Sequence, residues 1–547
     1  MKQFATPALL LAALMTLTAA CTSQTEKKEE DTATRIQLSD EGITVDGKAA
    51  STDPAGAVYV GADIIYYEDR DTWEDGSAYG EGTAEERHSI GEAAEHTVVT
   101  ITQPGTYRLS GSLSKGQIAI DLGEEAKDDP QAVVTLILDN VDVKCTVAPA
   151  LIFYNVYECD RDFVAYDNDE NPDYEATAYV DTSEAGANVI LAAGSENTFQ
   201  GSHVARIYKE GTTKKLHKYD GAFYSKMSMN ISEEPGGAGI LNIVADNEGL
   251  DSELHLSING GAIRIEAQND GINTNEDYVS VTTVNGGTLE INAGLGAEGD
   301  GIDSNGYLVI NGGTVWSMAN PQTGDGGIDA EEPILINGGM VYAFGSRNDT
   351  VDNGSGQAYM ELSFAATLPA GSLVELKDPA GEILWSAQLQ KACQAITLTV
   401  PELKLDTAYQ LYVDDVLQGW SGNGYGMGFP GGMGGQRPEG QEPLEGMERP
   451  EGMEPPEGFD PGQPPQGLEG FRPDGGADLP EEMTPDEQAR PLGRKPPEGA
   501  APEDRGGRPG GVPDFGEEAG GEISTQFTLT ETVKSFSGIR DAASQGS

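Results

Sequence analysis

Hydrophobic and polar positions alternate with a period of two in short segments of the central chain, as in Leu289–Asn292 and Val341–Phe344. This alternation is typical of β-strands, because successive side chains of a strand point to opposite faces. An Asn-Gly-Gly turn recurs between these segments, and its final glycines stand at 261, 287, 313 and 339, so that each step is 26 residues. The fixed period predicts an all-β solenoid, the parallel β-helix, in which each coil buries its apolar face on the next.

Alignment of the four repeats on Asn-Gly-Gly assigns the side chains to faces. The asparagines of the turn are predicted to form a structural ladder, in which stacked amides bond coil to coil at a corner that needs a positive φ. They are Asn259, Asn285, Asn311 and Asn337. The residues predicted to point inward are Ile263, Ile265, Leu289, Ile291, Val315, Ser317, Val341 and Ala343.

A second column of the alignment is acidic. Neighbouring strands lie about 4.8 Å apart, so stacked carboxylates would repel one another unless a cation neutralises them. No lysine occurs between Lys226 and Lys377, and the arginines of that stretch are Arg264 and Arg347. Because Ca²⁺ accepts several carboxylate and carbonyl oxygens, the column predicts bound calcium. The predicted ligands are Asp251, Asp270, Asn273, Asp300, Asp303, Asp325, Asp329, Asp349 and Asp352. The alternative is that these are turn-forming residues on a solvated face.

A third column points outward and becomes aromatic toward its C-terminal end. It runs through Arg264, Glu290, Trp316 and Tyr342, and Phe344 follows two residues later. Trp316, Tyr342 and Phe344 could stack against the faces of sugar rings and form a carbohydrate-binding site. The alternative is that the next domain docks on these rings and covers them.

The N-terminus carries an apolar run at 8–15 that is too short to span a bilayer, followed by small residues and Cys21. Residues 1–21 are therefore predicted to be an export signal, and its end resembles a bacterial lipobox. Lipidation of Cys21 would anchor the exported chain to the membrane, facing outside. Residues 22–96 are predicted to form a tether and an N-terminal cap region.

The formal net charge of −58 excludes nucleic acid and anionic lipid surfaces as partners, because both require basic surface. The lipid anchor is then the predicted link to the membrane. Cys145 and Cys159 are close enough in sequence to form a disulfide in an oxidising compartment, and Cys393 would remain a thiol. The five histidines are scattered and predict no zinc site or catalytic set.

The β-helix is predicted to span 97–355. Residues 356–420 and 523–541 contain further alternating segments and are predicted to form a small C-terminal β-sandwich. The chain between them, 421–522, is rich in Gly, Pro, Met and Glu and is predicted to be a disordered insertion.

Several motifs resemble a known family. Ile101–Gly111, Ile190–Thr198, Gly221–Lys226 and the Asp-Gly-Ile and Asn-Gly-Gly repeats are similar to the bacterial extracellular carbohydrate-binding β-helix family, which shares its fold with pectate lyases. The resemblance covers about Val98–Asp352. It implies a right-handed parallel β-helix, bound calcium, and binding to cellulose and acidic pectin without demonstrated lyase activity.

The sequence thus favours a cell-surface, calcium-stabilised, non-catalytic protein that binds plant cell-wall-type polysaccharide. The first alternative is a calcium-dependent lyase of pectate type, which needs a basic residue to take a proton. Arg264 and Arg347 are the candidates within the regular coils, although Arg264 shares a column with Glu290 and could simply form an ion pair. The second alternative is a structural surface adhesin.

Overall fold

The computed structural model describes residues 32–62, 64, 90–167, 171, 174–204, 219–421, 523–531 and 534–543. The predicted signal with Cys21 and the Gly/Pro-rich stretch 422–522 lie outside the described residues. No helix among the described residues is long and apolar enough to cross a membrane.

Among the described residues, the N-terminal half consists of strands of uneven length with three short helices. The helices are α1 (Ile90–Ala93), a 3₁₀ turn (Glu124–Asp128) and α2 (Arg161–Asp167). The strands are β1 (Thr34–Leu38), β2 (Thr44–Val45), β3 (Lys48–Ala49), β4 (Val58–Gly61), β5 (Thr97–Ile101), β6 (Gly105–Leu113), β7 (Gly116–Asp121), β8 (Val134–Lys144), β9 (Leu151–Asn155), β10 (Ala187–Leu191) and β11 (Glu196–Gly201).

The central region is regular and has three strands in each coil. Its strands are β12 (Gly221–Ser225), β13 (Met229–Glu233), β14 (Ile240–Ala245), β15 (Glu248–Ser252), β16 (His255–Ile258), β17 (Ala262–Ala267), β18 (Ile272–Thr274), β19 (Val281–Val284), β20 (Thr288–Asn292), β21 (Ile302–Ser304), β22 (Tyr307–Ile310), β23 (Thr314–Met318), β24 (Ile328–Ala330), β25 (Ile334–Ile336) and β26 (Met340–Gly345).

Each strand from β12 to β23 pairs in parallel with the strand three positions further along the chain. The pairing creates three parallel faces, and we call the whole arrangement the coil stack. The first face contains β12, β15, β18, β21 and β24. The second contains β13, β16, β19, β22 and β25, and the third contains β14, β17, β20, β23 and β26. The prediction of an all-β chain built on parallel strands is confirmed.

The interior of the coil stack is one continuous apolar core. The eight residues predicted to point inward are all buried, at 0 to 1% exposure. Stacking of one coil on the next removes this surface from water, which contributes about 25 cal/mol for each Å² of apolar area. The core therefore stabilises each coil only in the presence of its neighbours.

The Asn-Gly-Gly corners differ from the prediction in one respect. The residue with a positive φ is the second glycine of each turn, Gly261, Gly287, Gly313 and Gly339, at 80° to 91°, whereas the asparagines do not have one. A Cβ atom on Gly287 would lie 2.5 Å from the carbonyl oxygen of Gly261, so glycine is required by close stacking as well as by conformation. The asparagine side chain is therefore available for the amide hydrogen bonds of the ladder.

The chain beyond the coil stack forms mostly antiparallel strands, which we call the C-terminal strands. They are β27 (Met360–Leu368), β28 (Leu373–Lys377), β29 (Ile383–Gln388), β30 (Cys393–Thr399), β31 (Thr407–Val413), β32 (Val416–Gly419), β33 (Phe527–Leu529) and β34 (Ser535–Asp541). β33 pairs with β31, and β34 pairs with β27 and β32. The segment after the Gly/Pro-rich stretch therefore returns to the strands before it, as predicted.

The predicted disulfide is absent, because Cys145 and Cys159 are both free thiols. Cys145 packs in the main core of the coil stack, whereas Cys159 packs against a separate cluster of Ala126, Ala132 and Tyr157. Proximity in sequence was the basis of the prediction, whereas the two side chains pack in different clusters. The disulfide prediction is therefore wrong.

We expect alkylation of the denatured, unreduced protein to modify both Cys145 and Cys159. In the native protein Cys145 should stay unmodified over hours, because burial raises the pKa of its thiol to about 12 and suppresses the reactive thiolate. Peptide mass spectrometry reads both results. Modification of the two cysteines only after reduction would show that they form a disulfide after all.

Candidate functional site

A polar groove runs along the outer side of the second face. Its floor has two columns of outward side chains, which come from the strands β10, β13, β16, β19 and β22. The first column is Asn188, Asn230, Ser257, Thr283 and Val309, which are successive register partners. The second column contains Ser232 and the ladder residues Asn259, Asn285 and Asn311. The groove crosses five coils, a length of about 19 Å at the usual strand spacing.

The wall of the groove is the segment from Tyr174 to Ser183, which lies against the second face. Ala178 and Val180 pack on the outward apolar residues Val281, Val309 and Leu335. Because these contacts bury apolar surface outside the core, they hold the segment on the sheet.

Thr182 ties the wall to the floor. Its Oγ1 lies 2.8 Å from Oδ1 of Asn230 and 2.7 Å from Oγ of Ser257, and its carbonyl accepts a 2.7 Å hydrogen bond from Nδ2 of Asn230. Nδ2 of Asn230 also donates to Oδ1 of Asn188 at 3.0 Å. The polar side chains at this end of the groove are therefore fixed before any ligand arrives.

The asparagine ladder forms as predicted. Asn285 donates to Asn259, Asn311 donates to Asn285, and Asn337 donates to Asn311, each at 2.9 Å. An amide has two donor hydrogens and two acceptor lone pairs, so each member inside the ladder retains one donor and one lone pair. The ladder thus presents a repeating donor–acceptor pair along one side of the groove.

The groove has a volume of about 620 Å³ and is lined by small polar side chains, with Tyr179 on its rim. Tyr179 is 72% exposed, so its ring is available to a ligand. Among the described residues that line the groove, Asp181 alone carries a formal charge. A smaller cavity of about 270 Å³ continues the groove past Ser183 and Asn188 and adds Glu184. Neutral ligands rich in hydroxyl groups match this lining.

The structure brings part of the predicted acid column together on the first face. Asp251, Asn273, Asp303 and Asp329 are successive register partners on β15, β18, β21 and β24. Asp352 does not join them, because Val351 pairs with Ile334 on the second face. The stacking prediction is confirmed for the first four residues and wrong for Asp352.

Burial and mutual repulsion disfavour the charged forms of these carboxyls. Burial, and then the charges of Asp300 and Asp329, raise the pKa of Asp303 to about 8. Burial and the neighbouring Asp349 carboxyl raise the pKa of Asp329 to about 8, and burial raises that of Asp300 to about 7. The pKa of Asp270 is raised well above its ordinary value by burial and by Asp303.

Three of the acids also accept backbone hydrogen bonds across coils. Oδ1 of Asp270 accepts from the amide of Asp300 at 2.6 Å, and Oδ1 of Asp300 accepts from the amide of Gly326 at 2.5 Å. Oδ2 of Asp325 accepts from the amide of Gly299 at 2.7 Å. These carboxyls therefore hold backbone turns in place by hydrogen bonds, which is the role that the turn-forming alternative predicts.

The oxygen atoms of the acid column fit a metal ion only in part. Asn273 is 6% exposed, and its Oδ1 accepts no hydrogen bond from the described residues, so an oxygen ligand is available inside the column. Within the described ranges, no three His, Cys, Asp or Glu side chains converge in an arrangement that would hold a metal ion. The donor chemistry suits a hard cation such as Ca²⁺, whereas the side chains are not gathered around one point.

The aromatic column packs against the C-terminal strands. The Tyr342 ring stacks on Trp385 with centroids 5.6 Å apart, and Trp316 contacts Phe344 at 4.7 Å. Phe344 is 4% exposed and belongs to the core of the C-terminal strands, and Trp316 and Tyr342 are partly buried against that core. The docking alternative is therefore favoured over an open sugar-binding surface.

The two arginines of the regular coils lie on different sides of the stack. Nε of Arg264 donates to Oε2 of Glu290 at 3.1 Å, which is the ion pair that the sequence suggested. The guanidinium of Arg347 lies 3.7 Å from Asp329 and 3.9 Å from Asp349. Arg347 is thus placed beside the acid column.

The groove was missed by sequence reasoning, although a signal for it exists. Two strands of the second face carry a small polar residue at the position two before the Asn of Asn-Gly-Gly, namely Ser257 and Thr283. The wall segment lies more than 40 residues before these strands and has no repeat pattern of its own. Only the fold brings it to the groove.

A family model described as a carbohydrate-binding domain-containing protein matches residues 95–190 and 173–359. Over these residues the chain is similar to a carbohydrate-binding domain. The matched range contains both the polar groove and the acid column. No curated protein matches the chain.

Among solved structures, the polysaccharide lyase-like protein from C. thermocellum, studied as a gadolinium derivative, matches 56% of this chain and 93% of its own length. The two sequences are 18% identical over the match, and the TM-score is 0.31.

Proposed function

We propose that this chain is an exported, lipid-anchored protein that binds polysaccharide in the polar groove, on a right-handed coil stack stabilised by calcium. The observation that carries the proposal is the groove itself, which runs across five coils and repeats its polar groups at each coil. A linear polysaccharide also repeats its hydroxyl groups along its length. The match to a carbohydrate-binding family over 95–359 supports the same function.

The chemistry of the groove favours a neutral chain such as cellulose. A hydroxyl group both donates and accepts, so it can use the donor and the lone pair that remain on each amide of the Asn ladder. The wall and floor are already fixed by hydrogen bonds, which reduces the entropy lost on binding. The charges at the groove are those of Asp181 and Glu184, so an acidic pectin would be repelled there unless cations screen it.

Calcium is proposed at the acid column rather than in the groove. Asp251, Asn273, Asp303 and Asp329 would supply oxygen ligands from successive coils. A bound cation would neutralise carboxylates that otherwise repel one another in a buried site. Its role would be to stabilise the coil stack that positions the groove.

The proposed function is tested by retention of the purified full chain on insoluble cellulose and on insoluble pectin, with and without calcium. We expect retention on cellulose, released by soluble cello-oligosaccharide. Passage through both materials under all conditions would exclude the polysaccharide-binding function and would favour the adhesin alternative.

A calcium-dependent lyase is the second candidate function, and it is favoured by the position of Arg347 beside Asp329 and Asp349. Incubation with polygalacturonate and calcium would then produce the ultraviolet absorbance of unsaturated products, and Arg347→Ala would abolish it. We expect no such absorbance, because a binding protein leaves the polymer intact.

A further inference from the structure

A cluster of aromatic rings lies outside the groove, on α2 and at the start of the wall segment. The rings of Tyr166 and Tyr174 stack with centroids 5.4 Å apart and planes 28° apart. The edge of Phe163 contacts Tyr174 at 5.9 Å. Tyr166 is 46% exposed, which is unusual for an aromatic side chain that is already held in place by a partner ring.

Asp160 holds this cluster in place by hydrogen bonds. Its Oδ1 accepts the amide of Phe163 at 2.9 Å and so caps the first turn of α2. Its Oδ2 accepts the hydroxyl of Tyr174 at 3.2 Å and lies 3.2 Å from Nε2 of His255.

His255 connects the cluster to the coil stack. It is fully buried at the start of β16, and its Nδ1 accepts the amide of Val281 at 3.1 Å. Because Nδ1 is the acceptor, the neutral ring carries its proton on Nε2 and donates it to Asp160. The pair of Tyr166 and Tyr174 is thus fixed through Asp160 and the buried His255 to the same strands that form the floor of the groove.

The wall segment connects the cluster to the groove. Tyr174 begins the wall segment, and Tyr179 on the rim follows five residues later, so the two Cα atoms are at most about 18 Å apart. A polymer that lies in the groove can therefore reach the tyrosine pair without leaving the surface. The acids next to the pair, Asp162 and Glu175, are both exposed, so the pair shares the negative surroundings of the groove.

We propose that Tyr166 and Tyr174 form a second saccharide subsite, on which a ring of a neutral polysaccharide stacks where the chain extends beyond the groove. The proposal rests on the proposed function. A sugar ring buries its apolar C–H face on an aromatic ring, and a fixed ring gives this contact at little cost in side-chain entropy. The negative surroundings exclude uronate rings from the subsite, so the ligand is a neutral glycan.

The test is calorimetric titration of the full chain with cellohexaose and with cellobiose, which differ in their ability to span the groove and the tyrosine pair. Tyr166→Leu removes the ring and keeps apolar bulk, whereas Tyr166→Phe keeps the ring. Ile383→Ala, which truncates a 55% exposed side chain on β29, is the control for loss of exposed apolar surface. The melting temperature of each variant verifies that it is folded.

We expect Tyr166→Leu to weaken cellohexaose binding about fivefold, the size of an aromatic stacking contribution, and to leave cellobiose binding unchanged. Tyr166→Phe and Ile383→Ala should bind as the wild type does. Equal cellohexaose affinity of Tyr166→Leu and wild type would overturn the subsite and leave the groove function intact. Failure of the wild type to bind cellohexaose would overturn both.

Discussion

Replacement of Asp303 and Asp329 by asparagine should raise the melting temperature by about 5 °C at a pH of about 8.5 without divalent cations. Both carboxyls have a pKa raised to about 8 by burial and by neighbouring acids. At this pH the wild type must hold two buried negative charges, whereas asparagine has the same shape and no charge. The gain therefore measures the repulsion in the column.

The pH dependence of this gain follows from proton linkage. Between about pH 4 and 8 the folded protein keeps protons that the unfolded chain releases, so the stability of the wild type falls as the pH rises through this range. Near pH 3 both carboxyls are largely protonated in either state, because an aspartate of the unfolded chain has a pKa of about 3.9, and the penalty is absent. The advantage of the double variant should therefore shrink as the pH falls and vanish near about pH 3, as followed by thermal unfolding.

Calcium should reverse the order of the melting temperatures of the wild type and the double variant. Millimolar calcium at about pH 8 should raise the melting temperature of the wild type and leave that of the double variant unchanged, because ligand binding to the folded state stabilises it. Equal melting of the wild type with calcium and with chelator would contradict the metal proposal. A parallel pH dependence in both proteins would contradict the raised pKa values.

Replacement of Trp385 by alanine should destabilise the C-terminal strands by about 3 to 5 kcal/mol. Trp385 is 5% exposed and stacks on Tyr342 of the last coil, so its loss leaves a cavity in the core that joins the C-terminal strands to the coil stack. Urea unfolding followed by circular dichroism should show an earlier transition for this variant.

Ile383→Ala is the matched control for this substitution, because it lies on the same strand and its side chain is 55% exposed. We expect its unfolding to differ from that of the wild type by less than about 0.5 kcal/mol. Equal stability of Trp385→Ala and Ile383→Ala would show that the aromatic column is not an interface. That outcome would favour the alternative in which Trp316 and Tyr342 form an open sugar-binding surface.

Much of the fold was readable from the sequence because the coils repeat. The 26-residue step and the alternation of positions such as Ile263 and Ile265 depend on local geometry, and they identified the core and the parallel stacking. The return of β33 and β34 to the C-terminal strands was also predictable, since a strand pattern such as Phe527–Leu529 needs a partner.

The groove and the fate of the aromatic column depend on contacts between distant segments. Nothing local in Tyr179 or Thr182 indicates that the wall segment packs on β16 and β19. The same holds for Trp316 and Tyr342, whose outward direction was predicted but which pack against the core of the C-terminal strands. The positive φ was likewise assigned to the wrong residue type, because a repeat alone does not tell which residue of Asn-Gly-Gly makes the close contact.

Binding of polysaccharide in the polar groove can be tested by filling the groove with a large side chain. Thr283→Trp places a large side chain on the floor between Ser257 and Val309, its register partners. Asn242→Trp places the same side chain at an outward position of β14, on the third face, and is the matched control.

The measurement is the affinity of the folded full-length proteins for cellohexaose. If polysaccharide lies in the groove, we expect a loss of at least about tenfold for Thr283→Trp, which corresponds to about 1.4 kcal/mol, and wild-type affinity for Asn242→Trp. Equal affinities of wild type and Thr283→Trp would contradict binding in the groove.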